Sequence, residues 1–329
     1  MRRREFITLI GGIAVAWSVR ARAQQSGGIP RIGVLMTLAA DDPESPVRVA
    51  ELLKGLEELG WIDGRNLKIE YRWPTADIAS VRERVAELIA LAPNVILTGG
   101  TPAVAAFQQI APVVPVVFVN VVDPVGGGFV ESLARPGGSV TGFTAFDYSL
   151  SGKWLEMLKE IAPRITRVAV VRDASIPAGI GQFAVIQAAA ASYGIDLRVS
   201  DPQDANGMER AIAAVAGESN DFVLPAYSPS RSTRRNQIVS LAAKHRLPAV
   251  YPVRYFVTSG GLISYGPDLN DGYRRAATYL DRILKGEKPA DLPVQEPTKY
   301  ELSINLKTAK SIGITIPPTL LATATDVIE

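Results

Sequence analysis

From Arg31 onward, short apolar runs alternate with segments whose apolar residues recur every three to four positions. That alternation leaves few folds open: each run is long enough for a buried strand, each intervening segment for an amphipathic helix, and the combination fits a parallel sheet covered by helices. Residues 31–36 read as the first strand. A helix follows with Ser45 expected as N-cap and Pro46 as its first residue, where the missing N–H costs nothing. Leu52, Leu53, Leu56 and Leu59 share its inner face and Gly60 ends it. Strand 67–71, a helix capped by Asp77 with Ile78, Val81, Val85, Leu88 and Ile89 on one side, strand 95–98, a helix opened by Thr101-Pro102, and strand 116–122 complete one α/β unit.

After Pro136-Gly137-Gly138, residues 139–143 read as an extended crossover and the alternation starts afresh. Helices are predicted over 153–161, 182–193, 208–216 and 231–244, with strands over 167–171, 196–199, 222–224 and 249–251. The tail adds a strand at 262–265, a helix at 271–285 and an extended segment at 298–304, which suggests that the chain returns to the first unit and then to the second. The expected fold class is α/β, with two doubly wound parallel-sheet lobes joined by a multi-strand hinge. The N-terminal lobe is expected to hold residues 29–140 with 264–292, and the C-terminal lobe 141–263 with 297–329. Hinges of this kind permit rigid-body closure about a ligand.

Before the first strand, Arg2, Arg3 and Arg4 precede an apolar stretch from Phe6 to Val19, and Ala21-Arg22-Ala23 supplies a small-x-small cleavage pattern. The apolar stretch is too short to cross a ~30 Å hydrocarbon core comfortably as a helix. Residues 1–23 are therefore expected to be a signal peptide, twin-arginine-like in Arg3-Arg4-Glu5-Phe6-Ile7, cleaved after Ala23 to release a periplasmic protein. Its removal takes away five Arg and one Glu, so that 35 basic and 33 acidic side chains become 30 and 32 and the net charge falls from +2 to −2. That balance gives no warrant for a nucleic-acid or membrane-surface partner. Cysteine is absent and His245 is the single histidine, which excludes a Cys/His dyad and a multi-His zinc site. No cofactor or metal is expected.

In open parallel sheets ligands bind beyond the carboxyl ends of the strands, and the residues there are the candidates. In the first lobe they are Thr37, Gly100 and Thr101, and Asn120 and Asp123, with Phe143 in the crossover; in the second they are Asp173, Tyr227, Ser228 and Tyr251. Glycines before a helix N-terminus let the backbone approach a ligand, and the unpaired N–H groups can receive a carboxylate. The same residues also suit a tight turn with Thr101 as a simple N-cap. Asp123 or Asp173 can take an ammonium group or cap a turn. Tyr227, Tyr251, Tyr255 and Tyr265 are either stacking platforms or packing side chains, and His245 reads as a helix C-cap.

Several stretches carry a family resemblance: Gly100-Thr101-Pro102-Ala103, Asp123-Pro124-Val125-Gly126, Arg135-Pro136-Gly137-Gly138-Ser139-Val140-Thr141-Gly142, Ser264-Tyr265-Gly266-Pro267, and above all Ile283-Leu284-Lys285-Gly286-Glu287-Lys288-Pro289-Ala290-Asp291-Leu292-Pro293 with Asn305-Leu306-Lys307-Thr308-Ala309. Through them the chain resembles, over essentially its whole mature length, the ABC-transporter substrate-binding proteins related to the tryptophan- and tyrosine-binding type, with a type I periplasmic-binding-protein fold. The resemblance implies a monomeric partner of an inner-membrane ABC permease that captures a small molecule, an aromatic or apolar amino acid or related carboxylate, without chemistry. Two other readings compete. An exported enzyme of doubly wound α/β fold acting on a small carboxylate needs only carboxylates for catalysis. A sugar-repressor-like regulator needs a DNA-binding helix-turn-helix where the export signal stands.

Overall fold

Strands apolar on both faces must be covered on both faces, and the central strands of the first lobe are buried end to end. The computed structural model describes residues 28–75, 77–172, 177–200, 205–216, 221–225 and 234–329. In chain order the first lobe is β1 (Arg31–Leu35), α1 (Glu44–Glu58), β2 (Lys68–Arg72), α2 (Ile78–Ala90), β3 (Val95–Gly99), α3 (Thr101–Ile110), β4 (Val116–Val121) and β5 (Val140–Thr144). The sheet runs β2-β1-β3-β4-β5, parallel throughout. The segment expected as a crossover is thus its edge strand. Gly142 makes that pairing possible, because a Cβ there would overlap the Phe118 backbone. Leu52 and Leu56 of α1 pack on one face of the sheet, and Val85 and Leu88 of α2 with Phe107 of α3 pack on the other.

The helix starts follow local chemistry. Asp77 caps α2 by accepting the Ser80 N–H at 2.8 Å. The first helix begins two residues earlier than expected, at Glu44, and Ser45 does not cap it: its hydroxyl donates to the Ala39 carbonyl at 2.7 Å. Pro46 still falls in the first turn, where its missing N–H leaves nothing unpaired.

The second lobe comprises α4 (Leu150–Ile161), β6 (Arg167–Val171), α5 (Pro177–Tyr193), β7 (Asp196–Ser200), α6 (Ala205–Val215), β8 (Asp221–Pro225), α7 (Arg235–Lys244), β9 (Val250–Tyr251), α8 (Tyr255–Thr258) and β10 (Ile263–Pro267). Strands β7-β6-β8 form one parallel set, and β9 lies beside β8 and pairs with β10. The chain then crosses to the first lobe as α9 (Asp271–Leu284) and a 3₁₀ turn at Pro289–Asp291, and returns as β11 (Tyr300–Asn305), α10 (Leu306–Ile312), α11 (Pro318–Thr323) and β12 (Asp326–Ile328). Strand β11 is antiparallel to β10, and β12 lies parallel to β11.

Helix α9 belongs to the first lobe by packing. Its Tyr273, Ala277 and Leu280 join the core under α1. Gly55 lets the two helices touch, since a Cβ there would lie 2.6 Å from the Arg274 carbonyl oxygen. Three crossings therefore join the lobes: after β5, after β10 and before β11. The first and third are hydrogen-bonded side by side, with Gln295 N donating to Gly142 O at 2.9 Å and Thr144 N donating to Gln295 O at 2.8 Å. Among the described residues no helix is long and apolar enough to cross a membrane, and no group of three or more His, Cys, Asp or Glu is placed to hold a metal ion.

Candidate ligand-binding cleft

The carboxyl ends of β1, β3 and β4 assemble most of the candidates from the first lobe. Thr37 follows β1, and its hydroxyl accepts from the Arg48 guanidinium at 3.1 Å. Gly100, at φ +76°, turns the chain from β3 into α3 and donates its N–H to Val119 O at 3.1 Å. No side chain caps α3, and Thr101 is its first helical residue instead of its N-cap. Pro102 has no N–H, so the helix presents the amides of Thr101 and Ala103 without intrahelical acceptors, at the positive end of its dipole. Thr101 is buried at this end.

Beside it, Asn120 and Asp123 both adopt positive φ, 57° and 48°. Non-glycine residues rarely do so, and such strain concentrates where a side chain must be aimed. Asn120 is the extra residue of a bulge between Val119 and Val121; its side chain donates to Leu269 O at 3.1 Å and ties the second crossing to the first lobe. Asp123 accepts the Gly126 N–H at 2.8 Å, so the turn-capping role holds.

Asp123 also faces a cavity of about 180 Å³ at the root of the hinge. Val122, Asp123, Pro124, Val125 and Leu133 of the first lobe form one wall, and Thr144, Phe146, Asp147, Tyr148 and Glu296 of the crossings form the other. Burial pushes the Tyr148 phenol above its ordinary range, and the hydrogen-bonded Asp123 carboxylate pushes it further. The Asp147 carboxyl is held below its usual range by hydrogen bonds, first from the Ser149 backbone. Apolar walls with carboxyl groups among them suit a small molecule that joins an apolar group to a cationic one.

Across the cleft, Arg235 at the start of α7 reaches Asp42 of the first lobe. Its Nη2 donates to Asp42 Oδ2 at 3.4 Å, with side chains 10% and 11% exposed, and its guanidinium lies 5.1 Å from the Tyr255 ring centre. Arg172, after β6, lies 4.4 Å over the Phe183 ring. Sequence reading missed Arg48, Asp42 and Arg235, because no local pattern marks a partner that arrives from another element.

Two candidates lie elsewhere. Phe143 is buried in the first-lobe core, 4.9 Å from the Tyr279 ring and 4.9 Å below the Arg275 guanidinium, with no face left for a ligand. Tyr251 is 1% exposed and stacks on Phe256 at 4.9 Å; β9 lies between β8 and β10, so its side chain enters the second-lobe core. Tyr255 likewise packs on Phe256, and Tyr265 on Tyr300. Asp173, Tyr227 and Ser228 lie outside the described residues. His245 is the C-cap of α7, as expected.

Known proteins share this architecture. The profile of the family described as ABC transporter substrate binding protein matches residues 32–328. The tyrosine-binding protein of Clostridioides difficile is 25% identical over 263 residues, which cover 80% of this chain and 75% of the relative. A conserved domain protein of Vibrio cholerae superposes with a TM-score of 0.84 at 26% identity, over 91% of this chain and 100% of the other. An ABC domain from Streptococcus pneumonia in complex with L-Trp superposes at 0.83 with 24% identity, over 92% and 100%. With its profile matched across both lobes and the hinge, the chain belongs to the ABC transporter substrate-binding protein family.

Proposed function

We propose that this substrate-binding protein captures a small aromatic or apolar amino acid, or a closely related carboxylate, between its lobes and hands it unchanged to its permease. The observation that carries the reading is the pairing of opposite poles on one lobe: an uncapped helix N-terminus at Gly100 and Thr101, and the Asp123 carboxylate beside an apolar cavity. A carboxylate docks at the first and an ammonium at the second, with the apolar group branching from the same carbon into the cavity. Its relatives add support, one being a tyrosine-binding protein and another a fold neighbour holding L-Trp. The protein acts as a periplasmic monomer after loss of residues 1–23, a segment built as an export signal with twin-arginine character.

A thermal-shift screen of the exported protein against amino acids, aromatic acids, amides and sugars tests the reading. Ligand at 100 times its dissociation constant adds about 2.7 kcal/mol to the native state. The expected outcome is a clear rise in melting temperature with L-tyrosine, L-tryptophan or L-phenylalanine and none with sugars. A sugar as the best stabiliser, or mass-spectrometric evidence of multiple turnover, contradicts it.

A further inference from the structure

Beneath the first-lobe strand ends, one buried polar group, the Tyr273 hydroxyl, has no partner in the fold around it. Tyr273 of α9 is 1% exposed, yet its hydroxyl has no hydrogen-bond partner. An unpartnered buried hydroxyl is a net loss to the fold, and phenylalanine would fill the same space without it. The hydroxyl lies against Gly99, the residue before the α3 N-cap: a Cβ on Gly99 would be 3.1 Å from it and 3.4 Å from the Thr37 hydroxyl. Arg48 of α1 is 3% exposed, lies 5.7 Å from the Tyr273 ring centre, and donates to that same Thr37 oxygen at 3.1 Å.

Thr37, Arg48 and Tyr273 therefore meet at the glycines that open α3, and each can donate a hydrogen bond there. Thr37 accepts from Arg48 and so keeps its own proton to give. Every polar group in the set favours an anion, and the α3 N-terminus adds amides and a dipole of the same sense.

We infer that Tyr273, Arg48 and Thr37 form the carboxylate-holding part of the ligand site, with the Tyr273 hydroxyl and the Arg48 guanidinium donating to the ligand's oxygens. This rests on the amino-acid reading above and deepens it, because it makes the carboxylate the group that admits a ligand. Glycine at 99 is then required to leave room for the converging hydroxyls.

Calorimetric titration with matched pairs, L-tyrosine against tyramine and L-tryptophan against tryptamine, tests it on the wild type, Tyr273→Phe and Arg48→Gln. The expected result is that each variant binds the amino acid about tenfold or more weakly, the size of a lost hydrogen bond to a charged group. Affinity for the amine stays unchanged, and Tyr273→Phe melts no lower than the wild type. A folded Tyr273→Phe protein that binds the amino acids as tightly as the wild type overturns the inference. If the wild type binds neither amino acid, the aromatic reading has failed separately. Thermal shifts with sodium benzoate and sodium acetate then decide: a saturable rise abolished by Tyr273→Phe sustains the anion site, and no rise with either overturns it.

Discussion

The two lobes place similar residues at similar points of the alternation and use them differently. In the first, residues at and just beyond the ends of β3 and β4 have unusual backbones: Gly100, Asn120 and Asp123 all take positive φ, and α3 starts without a side-chain cap. In the second, the tyrosine that ends β9 and those near it pack against aromatic neighbours, Tyr251 and Tyr255 on Phe256 and Tyr265 on Tyr300. The first lobe thus presents unusual backbone geometry and buried donors at its strand ends. The aromatic residues of the second lobe in this region support its core. A tyrosine at a strand end is amphipathic and satisfies either role, whereas an uncapped helix N-terminus beside strained backbone has fewer structural uses.

The largest effect expected from this contrast is on stability. Tyr251→Ala should cost about 3–5 kcal/mol, the usual range for truncating a buried aromatic, read by chemical denaturation, while the folded fraction binds ligand as before. A variant of normal stability that has lost affinity would return Tyr251 to the site.

Thr101→Val comes next and acts on binding. Loss of a hydroxyl donor to a carboxylate should weaken affinity by about 1.5–3 kcal/mol, or roughly one to two decades. Since Gly100 and not Thr101 occupies the N-cap and no side chain caps the helix, the melting temperature should stay near that of the wild type. A large fall in stability with unchanged affinity would make Thr101 structural.

The contact between lobes is smaller in effect. Asp42 and Arg235 are nearly buried, so their pair lies between surface pairs worth under ~1 kcal/mol and buried ones that cost ~3–5 kcal/mol to break. Asp42→Asn should lower affinity by about 1–2 kcal/mol, chiefly through faster ligand release seen in stopped flow, because the pair exists only where the lobes meet. An unchanged release rate would show that it is not part of closure.

The smallest effect is a pH dependence. Burial raises the Glu301 carboxyl above its ordinary value, and the carboxylates of Asp268, Asp326 and Glu44 add to the shift against Arg254. A carboxyl whose folded pKa is raised binds its proton more tightly in the native state, so stability falls as pH rises from the unfolded value through the folded one. Glu301→Gln should therefore melt slightly higher than the wild type at pH 7, by no more than about 2 °C, with the difference vanishing at acid pH. An equal difference at both pH values would assign the gain to packing.

Much of the fold was legible because its punctuation is local. Asp77 caps α2, Gly60 follows α1 in the left-handed region, and Thr101-Pro102 opens α3, each as its residue type dictates. The short helix α8, the C-terminal helix α11 and strand β12 escaped because they are too brief for periodicity to register. Within the site, Gly100, Asn120 and Asp123 could be placed from strand ends alone. Arg48 with Tyr273, and Asp42 with Arg235 at 193 residues' separation, could not, because each pair meets through helices whose docking is a tertiary event. The failure at Tyr251 has the same origin: strand length gave its position along β9, while its direction depends on the neighbouring strands.

Titration of L-tyrosine and L-tryptophan into Thr101→Val and Tyr251→Phe, side by side with the wild type, decides which lobe recognises the ligand. Thr101→Val is expected to bind about ten- to a hundredfold more weakly, and Tyr251→Phe to bind as the wild type does. The reverse pattern, full affinity in Thr101→Val and a loss in Tyr251→Phe, would contradict this and move recognition from the first lobe to the second.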